Sequence, residues 1–566
     1  MKERTSVTYA QDPQFAEFLL SNTQSEAFSQ YLEEQNIPFQ DINPLYKQIW
    51  YPLKRLSDNL LNDTLYTTIP KLYIPQSLTA LENTGILQVQ KRASLALTGE
   101  NILLGFLDSG ISYTQPAFLD SAGRTRIEAI WDQTAIADQT NSAPFGYGKL
   151  YTLTDIQNAL QNKDPYAIVP SRDQTGHGTA IAGIAAGSED PNAAFSGAAP
   201  QARLAMVKLQ RAKPYLLTQA CLKQEQEIYA ETDILCGISW LMALSRELRL
   251  PLVVCFGIQS WQGSHNGGTA LERTIDYLSD SPGICFVTGT GNEADQQHHQ
   301  MINTGTGIFH GLTELLVEND TDDFSMEFWA PPVFSFILSI TSPSGDQITG
   351  LVPRLGSLSL TFPLDETVIE LNFETFRSES GNQLAYFRFL APSPGVWTLY
   401  TDLTANIDTN LHLWLPPSSA VRGGVRFLRP DPFTTAMVPA NTPENISVSA
   451  AQAANTSTLS NSGRGLSFTG MQVPTMAAVG ESVLAPSYIS GYQAITGSSA
   501  SAALCAGAAA LVMEWGQKND ASRFLSTTDI RTFLLRGCSR PPGASYPNAQ
   551  SGYGYLNLEA SFLNNF

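Results

Sequence analysis

Four runs of almost unbroken apolar residues, 102–107, 202–209, 252–256 and 284–287, are separated by helix-like stretches such as 233–247. A strand with one wet face alternates apolar and polar residues. A run that is apolar throughout needs cover on both faces, and helices between successive runs supply it. Residues 101 to about 291 therefore predict a parallel sheet flanked by helices, an α/β core. From 301 to about 445 the pattern changes to alternating strands at 324–329, 334–340, 357–362, 368–373, 384–390, 396–400 and 411–415. Turns such as Pro343-Ser344-Gly345-Asp346 and Ser393-Pro394-Gly395 divide them. Short strands without helices read as an all-β antiparallel sandwich inserted into the α/β domain. From 445 onward the helical, small-residue pattern returns. Ahead of the core, residues 1–76 combine an amphipathic helix at 15–35 with strand-like runs at 66–70 and 71–74, and a helical segment at 77–85 follows. The expected organisation is a small α+β segment at 1–76, an α/β domain in two parts at 77–300 and 445–566, and a β module at 301–444.

Composition narrows the function classes. With 43% hydrophobic and 15% charged residues the 566-residue chain has an ordinary globular balance. A net charge of −19 argues against nucleic acid or an anionic membrane as partner. No run approaches the uninterrupted apolar length of a membrane helix, and the polar start Met1-Lys2-Glu3-Arg4-Thr5-Ser6 carries no secretory signal. Cys221, Cys236, Cys255, Cys285, Cys505 and Cys538 form neither a CxxC pair nor a Cys/His metal spacing, so buried free thiols are expected. No cluster of carboxylates signals a metal.

Three segments carry the chemistry. Leu104-Gly105-Phe106-Leu107-Asp108-Ser109-Gly110 puts a carboxylate at the carboxyl end of an apolar strand, where open α/β sheets build their sites. Thr175-Gly176-His177-Gly178-Thr179 sets a histidine between glycines that let backbone approach closely, at the head of a small-residue helix. Thr496-Gly497-Ser498-Ser499-Ala500-Ser501 opens a second, smooth helix with a serine. A hydroxyl becomes a nucleophile when an imidazole can take its proton and a carboxylate holds that imidazole. A fourth segment, Val287-Thr288-Gly289-Thr290-Gly291-Asn292-Glu293, ends a strand in a glycine-rich turn, and the Asn292 amide can donate to a tetrahedral oxyanion. Each alone has a plainer reading, as an Asx turn, a capped helix or a Gly-Asn turn. Their joint occurrence favours the chemical one.

In this order and context the motifs resemble those of subtilisin-type serine peptidases, which run Asp, His, Ser along the chain on an α/β fold. The resemblance spans about 77–295 and 445–566. It implies that Asp108 orients His177, that His177 is general base, that Ser499 is nucleophile, and that Asn292 with the Ser499 N–H forms the oxyanion hole. Cys255-Phe256-Gly257 resembles the strand lining the substrate cleft, and Ser551-Gly552-Tyr553-Gly554-Tyr555-Leu556-Asn557 the closing segment. Ser498 stands where the family has threonine, and Ala503 where it has proline.

The small amino-terminal segment, the β module between Asn292 and Ser499, and the polar start together resemble the Csp germination proteases of spore-forming Clostridia. That group implies a prodomain that stays bound after self-cleavage, a jelly-roll insert, no cofactor, and a protein substrate that is the precursor of a cortex-lytic hydrolase. It also implies synthesis in the cytoplasm and incorporation into the spore. Tyr73-Ile74-Pro75-Gln76 is an extended, proline-stiffened tail suited to a substrate cleft, so self-cleavage is expected between Gln76 and Ser77. Two other readings fit the same segments: a catalytically silent relative that signals by binding, and a general subtilase whose β module binds carbohydrate or protein.

Overall fold

The computed structural model describes residues 9–21, 26–75, 84–92, 94–136, 143–223, 226–304, 310–332, 335–354, 356–375, 381–403, 410–453, 457–520 and 524–565. At its centre is an eight-stranded sheet in the order Met476–Val479, Ile446–Ala451, Ile284–Gly289, Leu252–Phe256, Leu103–Asp108, Arg203–Lys208, Ile127–Asp132, Lys149–Thr152. Every neighbouring pair is parallel except the last. Side chains alternate between its faces as strand geometry demands. Leu104 and Phe106 pack with the helices His177–Ala186 and Ser498–Asn519, while Leu103 and Leu107 pack with Glu231–Leu248 and Ala270–Ser279.

The helix Ser498–Asn519 is long and apolar enough to cross a membrane, contrary to the reading of the sequence. Yet 94% of its apolar window is buried inside the fold, so it is a core helix and does not indicate a span. Its alanines and glycines let it lie close to neighbouring chain: a Cβ on Gly507 would sit 2.3 Å from that of Ala198. The six cysteines are free, and all but Cys221 are buried.

Between 299 and 427 the chain forms two antiparallel sheets. One runs His299–Asn303, Asn410–Trp414, Phe324–Ala330, Gln383–Leu390, Thr367–Glu374, Ser357–Phe362. The other runs Gln347–Leu351, Phe336–Thr341, Gly395–Leu403, His310–Val317, Val425–Phe427. They share one apolar core, built of residues such as Phe328, Phe373, Phe387 and Trp397. Where this module meets the α/β body, three histidines are buried around Trp414: His265 stacks on it at 4.1 Å, and His299 Nε2 lies 3.0 Å from His412 Nδ1. Burial holds all three imidazoles below their ordinary range, His299 down to about 3.

The amino-terminal segment departs from expectation. Residues 15–35 do not form one helix. Phe15–Ser21 is a strand paired along its whole length with Tyr46–Pro52, and only Glu26–Glu34 is helical. Both faces of the strand are covered: Ala16 and Phe18 enter one core and Leu19 another. That two-sided burial erases the alternation by which a strand is recognised. The run at 66–70 is likewise no strand; Tyr66–Thr68 is a 3₁₀ turn. The helical segment expected at 77–85 falls mostly outside the described residues.

This segment is tied to both larger parts. Asn59 Nδ2 donates to Asn372 at 2.9 Å and to Glu370 at 3.0 Å, and the Tyr66 hydroxyl donates to Glu327, all three acceptors in the β module. Against the α/β body, the Glu17 N–H donates to the Tyr215 hydroxyl at 2.7 Å, and the buried Glu17 carboxylate, which accepts from Gln48 of its own segment at 2.8 Å, faces Lys213 at 3.9 Å. Asp233 nearby accepts from Tyr147 at 2.6 Å, and its carboxyl is pushed up to about 8 by burial and by the Glu17 charge.

Candidate active site

Asp108 is the last residue of the strand Leu103–Asp108 and is buried. His177 is the first residue of its helix, after Gly176 in the left-handed region at φ 86°. Both oxygens of Asp108 lie against His177 Nδ1, at 2.8 and 2.9 Å. With the carboxylate ionised, Nδ1–H donates and Nε2 is the basic nitrogen, turned away from Asp108. The glycine after the histidine is required here: a Cβ on Gly178 would stand 2.2 Å from the Gly110 carbonyl.

Asp173, which the sequence reading passed over, binds the two turns together. Its oxygens accept from Ser109 Oγ at 2.9 Å, Gly176 N at 2.8 Å, Thr179 N at 2.9 Å and Thr179 Oγ1 at 2.6 Å. An acid four residues before His177 was the one available signal.

Ser499 is the second residue of the helix Ser498–Asn519, where backbone N–H groups have no intrahelical acceptor. Its hydroxyl donates to the carbonyl of Gly257 at 3.0 Å. A Cβ on Gly257 would lie 2.9 Å from both Asp108 Oδ2 and His177 Cε1. The three predicted side chains thus converge on one glycine. Asn292 joins them: its Oδ1 accepts from Ser498 N at 3.0 Å, which makes the NH₂ its donor edge, and Ser498 Oγ accepts from Gly291 N at 2.9 Å. The hydroxyl retained at Ser498 therefore pins the Asn292 turn to the head of the Ser499 helix. Ala503 is buried within that helix.

Leu72–Pro75 pairs one step further along the chain than the residues expected to line a cleft. Cys255 and Phe256 end the buried strand Leu252–Phe256, both of whose edges are taken by Leu103–Asp108 and Ile284–Gly289. A strand with two partners cannot receive a third. Of the predicted cleft residues Gly257 lies directly against the Asp108–His177 pair, and the strand that pairs with Leu72–Pro75 is the next one, Ile258–Gln259. Leu72–Pro75 lies antiparallel between it and Tyr229–Ala230, with Pro75 opposite Ile258, Ile74 opposite Gln259, and Leu72 opposite Ala230. Leu72 N also donates to Gln262 Oε1 at 2.9 Å. Gln76 and Ser77 lie outside the described residues. Among those described, no three His, Cys, Asp or Glu side chains are grouped to hold a metal ion.

The Subtilase family matches this chain over residues 99–308 and 430–555, more than half of its length. The chain belongs to the subtilase family. Membership supports serine protease activity and hence protein substrates. Among solved structures, this subtilase is similar to the Clostridium perfringens CspB protease, with 28% identity and a TM-score of 0.74 over 85% of this chain and 97% of that one. Fervidolysin from Fervidobacterium pennivorans, a keratinolytic enzyme related to subtilisin, aligns at 13% identity and TM-score 0.49 over 99% of this subtilase and 64% of its own chain. The S41 psychrophilic protease aligns at 15% identity and TM-score 0.42, over 85% and 99%. No curated protein matches the sequence. The likeness to the CspB protease extends over nearly all of that chain, so it takes in more than the subtilase core.

Proposed function

We propose that this subtilase is a serine endopeptidase that cuts its own chain between Gln76 and Ser77 and keeps the released segment bound. The observation that supports it most is the shared glycine: Ser499 Oγ rests on the Gly257 carbonyl, and the Asp108–His177 pair lies against the same residue. In the proposed reaction Ser499 Oγ attacks the carbonyl carbon of residue 76 while His177 Nε2 takes the hydroxyl proton. The oxyanion is stabilised by the Asn292 NH₂ and the Ser499 N–H. The C–N bond then breaks, the amine of Ser77 leaves with the proton from His177, and water hydrolyses the acyl-enzyme by the same steps in reverse. Asp108 holds the imidazole in the right tautomer throughout.

The strand Leu72–Pro75 supports the cut site, because a chain in that register delivers its next residue beyond Ile258 and toward Gly257 and Ser499. Retention is supported by the ties of the amino-terminal segment to both larger parts, which cleavage of a single peptide bond leaves in place. In the cell we assign the enzyme to spore germination, made in the cytoplasm, stored in the spore, and activating a cortex-lytic hydrolase precursor by limited proteolysis. The similarity to the CspB protease supports that assignment. Intact mass tests the enzymatic part. Wild type is expected as two co-purifying pieces divided after Gln76, and Ser499→Ala as one full-length species; one uncut species in both defeats it.

A further inference from the structure

The β module leaves the α/β body just after Asn292 and returns to it ahead of the strand Ile446–Ala451. Both stems run against the turn that carries Asn292. On the outgoing stem, Glu293 follows Asn292 directly, and its carboxylate accepts from His298 Nδ1 at 2.8 Å. His298 is buried at the root of the module. Its carbonyl accepts from Leu415 N at 2.9 Å, next to the strand Asn410–Trp414, and its Nε2 faces the Ser418 hydroxyl at 3.4 Å. On the returning stem, Met437 N donates to the Thr290 carbonyl at 3.0 Å. Met437 also packs where Gly291 would carry a side chain, its Sδ 2.4 Å from the position of that Cβ. Glu293, His298 and Met437 line one small cavity of about 20 Å³ together with Trp261 and Trp414, so the two stems meet beside the turn.

These contacts bear on the amide that the proposed reaction uses. An oxyanion donor must already be in place when charge develops on the oxygen it serves. Asn292 is fixed on one side by Ser498, whose N–H its Oδ1 accepts. On the other side the chain runs straight into Glu293. A charge-assisted hydrogen bond to a buried imidazole is a stiff tie, because low dielectric strengthens it and an abandoned carboxylate is costly. Met437 closes the space into which Gly291, with no side chain and a φ of 85°, would otherwise be free to shift. Neither residue has to touch substrate to set where the Asn292 NH₂ stands.

We propose that His298 and Met437 are positioning residues of this protease, and that through them the inserted β module sets the oxyanion donor Asn292. This rests on the enzymatic reading above. A side chain that acts only through Asn292 has nothing left to act on once that amide is gone, so its effect must vanish in Asn292→Ala. A side chain that merely supports the fold costs as much in either background.

The test is the rate of fluorophosphonate labelling of the full chain, because the phosphoryl oxygen of the probe takes the oxyanion's place. His298→Leu and Met437→Ala are each expected to slow labelling about tenfold to a hundredfold, as a displacement approaching 1 Å would. Introduced into Asn292→Ala, each is expected to leave the rate within a few-fold of that variant's own. His298→Asn, whose amide nitrogen stands where Nδ1 does, is expected to stay within a few-fold of wild type. Losses that multiply with Asn292→Ala, wild-type labelling by His298→Leu or by Met437→Ala, or His298→Asn as slow as His298→Leu, overturn the proposal. The two residues belong to different stems, so Met437→Ala reads the turn even where His298→Leu fails to fold. A wild type that takes no label refutes the enzymatic reading itself, and so is told apart from failure of the coupling alone.

Discussion

Ser499 and Gly257 are joined by one hydrogen bond, the serine hydroxyl donating 3.0 Å to the glycine carbonyl. The same glycine leaves the room in which the imidazole lies, since a Cβ there would stand 2.9 Å from His177 Cε1 and from Asp108 Oδ2. Neither atom is the loose end of a flexible chain. Gly257→Ala must therefore displace the Asp108–His177 pair. An error of about 1 Å in a reacting group costs roughly a hundredfold in rate. Turnover of a peptide substrate is expected to fall by about that factor with unchanged circular dichroism, and a wild-type rate contradicts the packing described.

Asn292 is held through Ser498 and not through the substrate, so its loss should be felt only when negative charge develops. Asn292→Ala is expected to leave KM nearly unchanged and to lower kcat by roughly 10²–10³, a range carried over from subtilisin itself. An increase in KM at constant kcat assigns the side chain to binding instead.

The histidines around Trp414 make the fold acid-sensitive. Burial holds His265, His299 and His412 below their ordinary value, His299 at about 3. As pH falls below about 6.5 the unfolded chain takes protons that the native state refuses. Stability is therefore lost on the way down through that window, by up to about 1.4 kcal/mol per pH unit for each histidine. Urea unfolding at pH 7, 6 and 5 should show the decline, and His412→Gln should make it shallower. A flat profile removes the histidines from the account.

Asp233 has the opposite sign. Burial and the Glu17 charge push its carboxyl up to about 8, so between about 4 and 8 the native state keeps a proton that the unfolded chain has released. Stability falls as pH rises through that interval. Asp233→Asn keeps an acceptor for Tyr147 and removes the titration. Its melting temperature is expected above that of wild type at pH 8–9, with the gain gone near pH 4. A loss equal at every pH contradicts the charge argument.

Much of this arrangement could be read from local sequence. The central strands stand out because they are apolar throughout. Asp108, His177 and Ser499 stand out because close backbone approach forces glycine and alanine around them. What escaped reading depends on neighbours distant in the chain. Phe15–Ser21 looked helical because cover on both faces hides its period of two. Cys255, Phe256 and Gly257 read alike as an open edge, because a strand's sequence does not say which of its edges is already paired. Asp173 carries no motif at all; it is defined by what it accepts across the fold.

The central claim is that the serine at the head of the helix Ser498–Asn519 is activated by the Asp108–His177 pair, and a fluorophosphonate probe reads that directly. The wild-type protein should form one covalent adduct, mapped by peptide mass to Ser499, while Ser499→Ala forms none and His177→Ala is slowed by orders of magnitude. An unlabelled wild type, or labelling that persists at the same rate without His177, contradicts it.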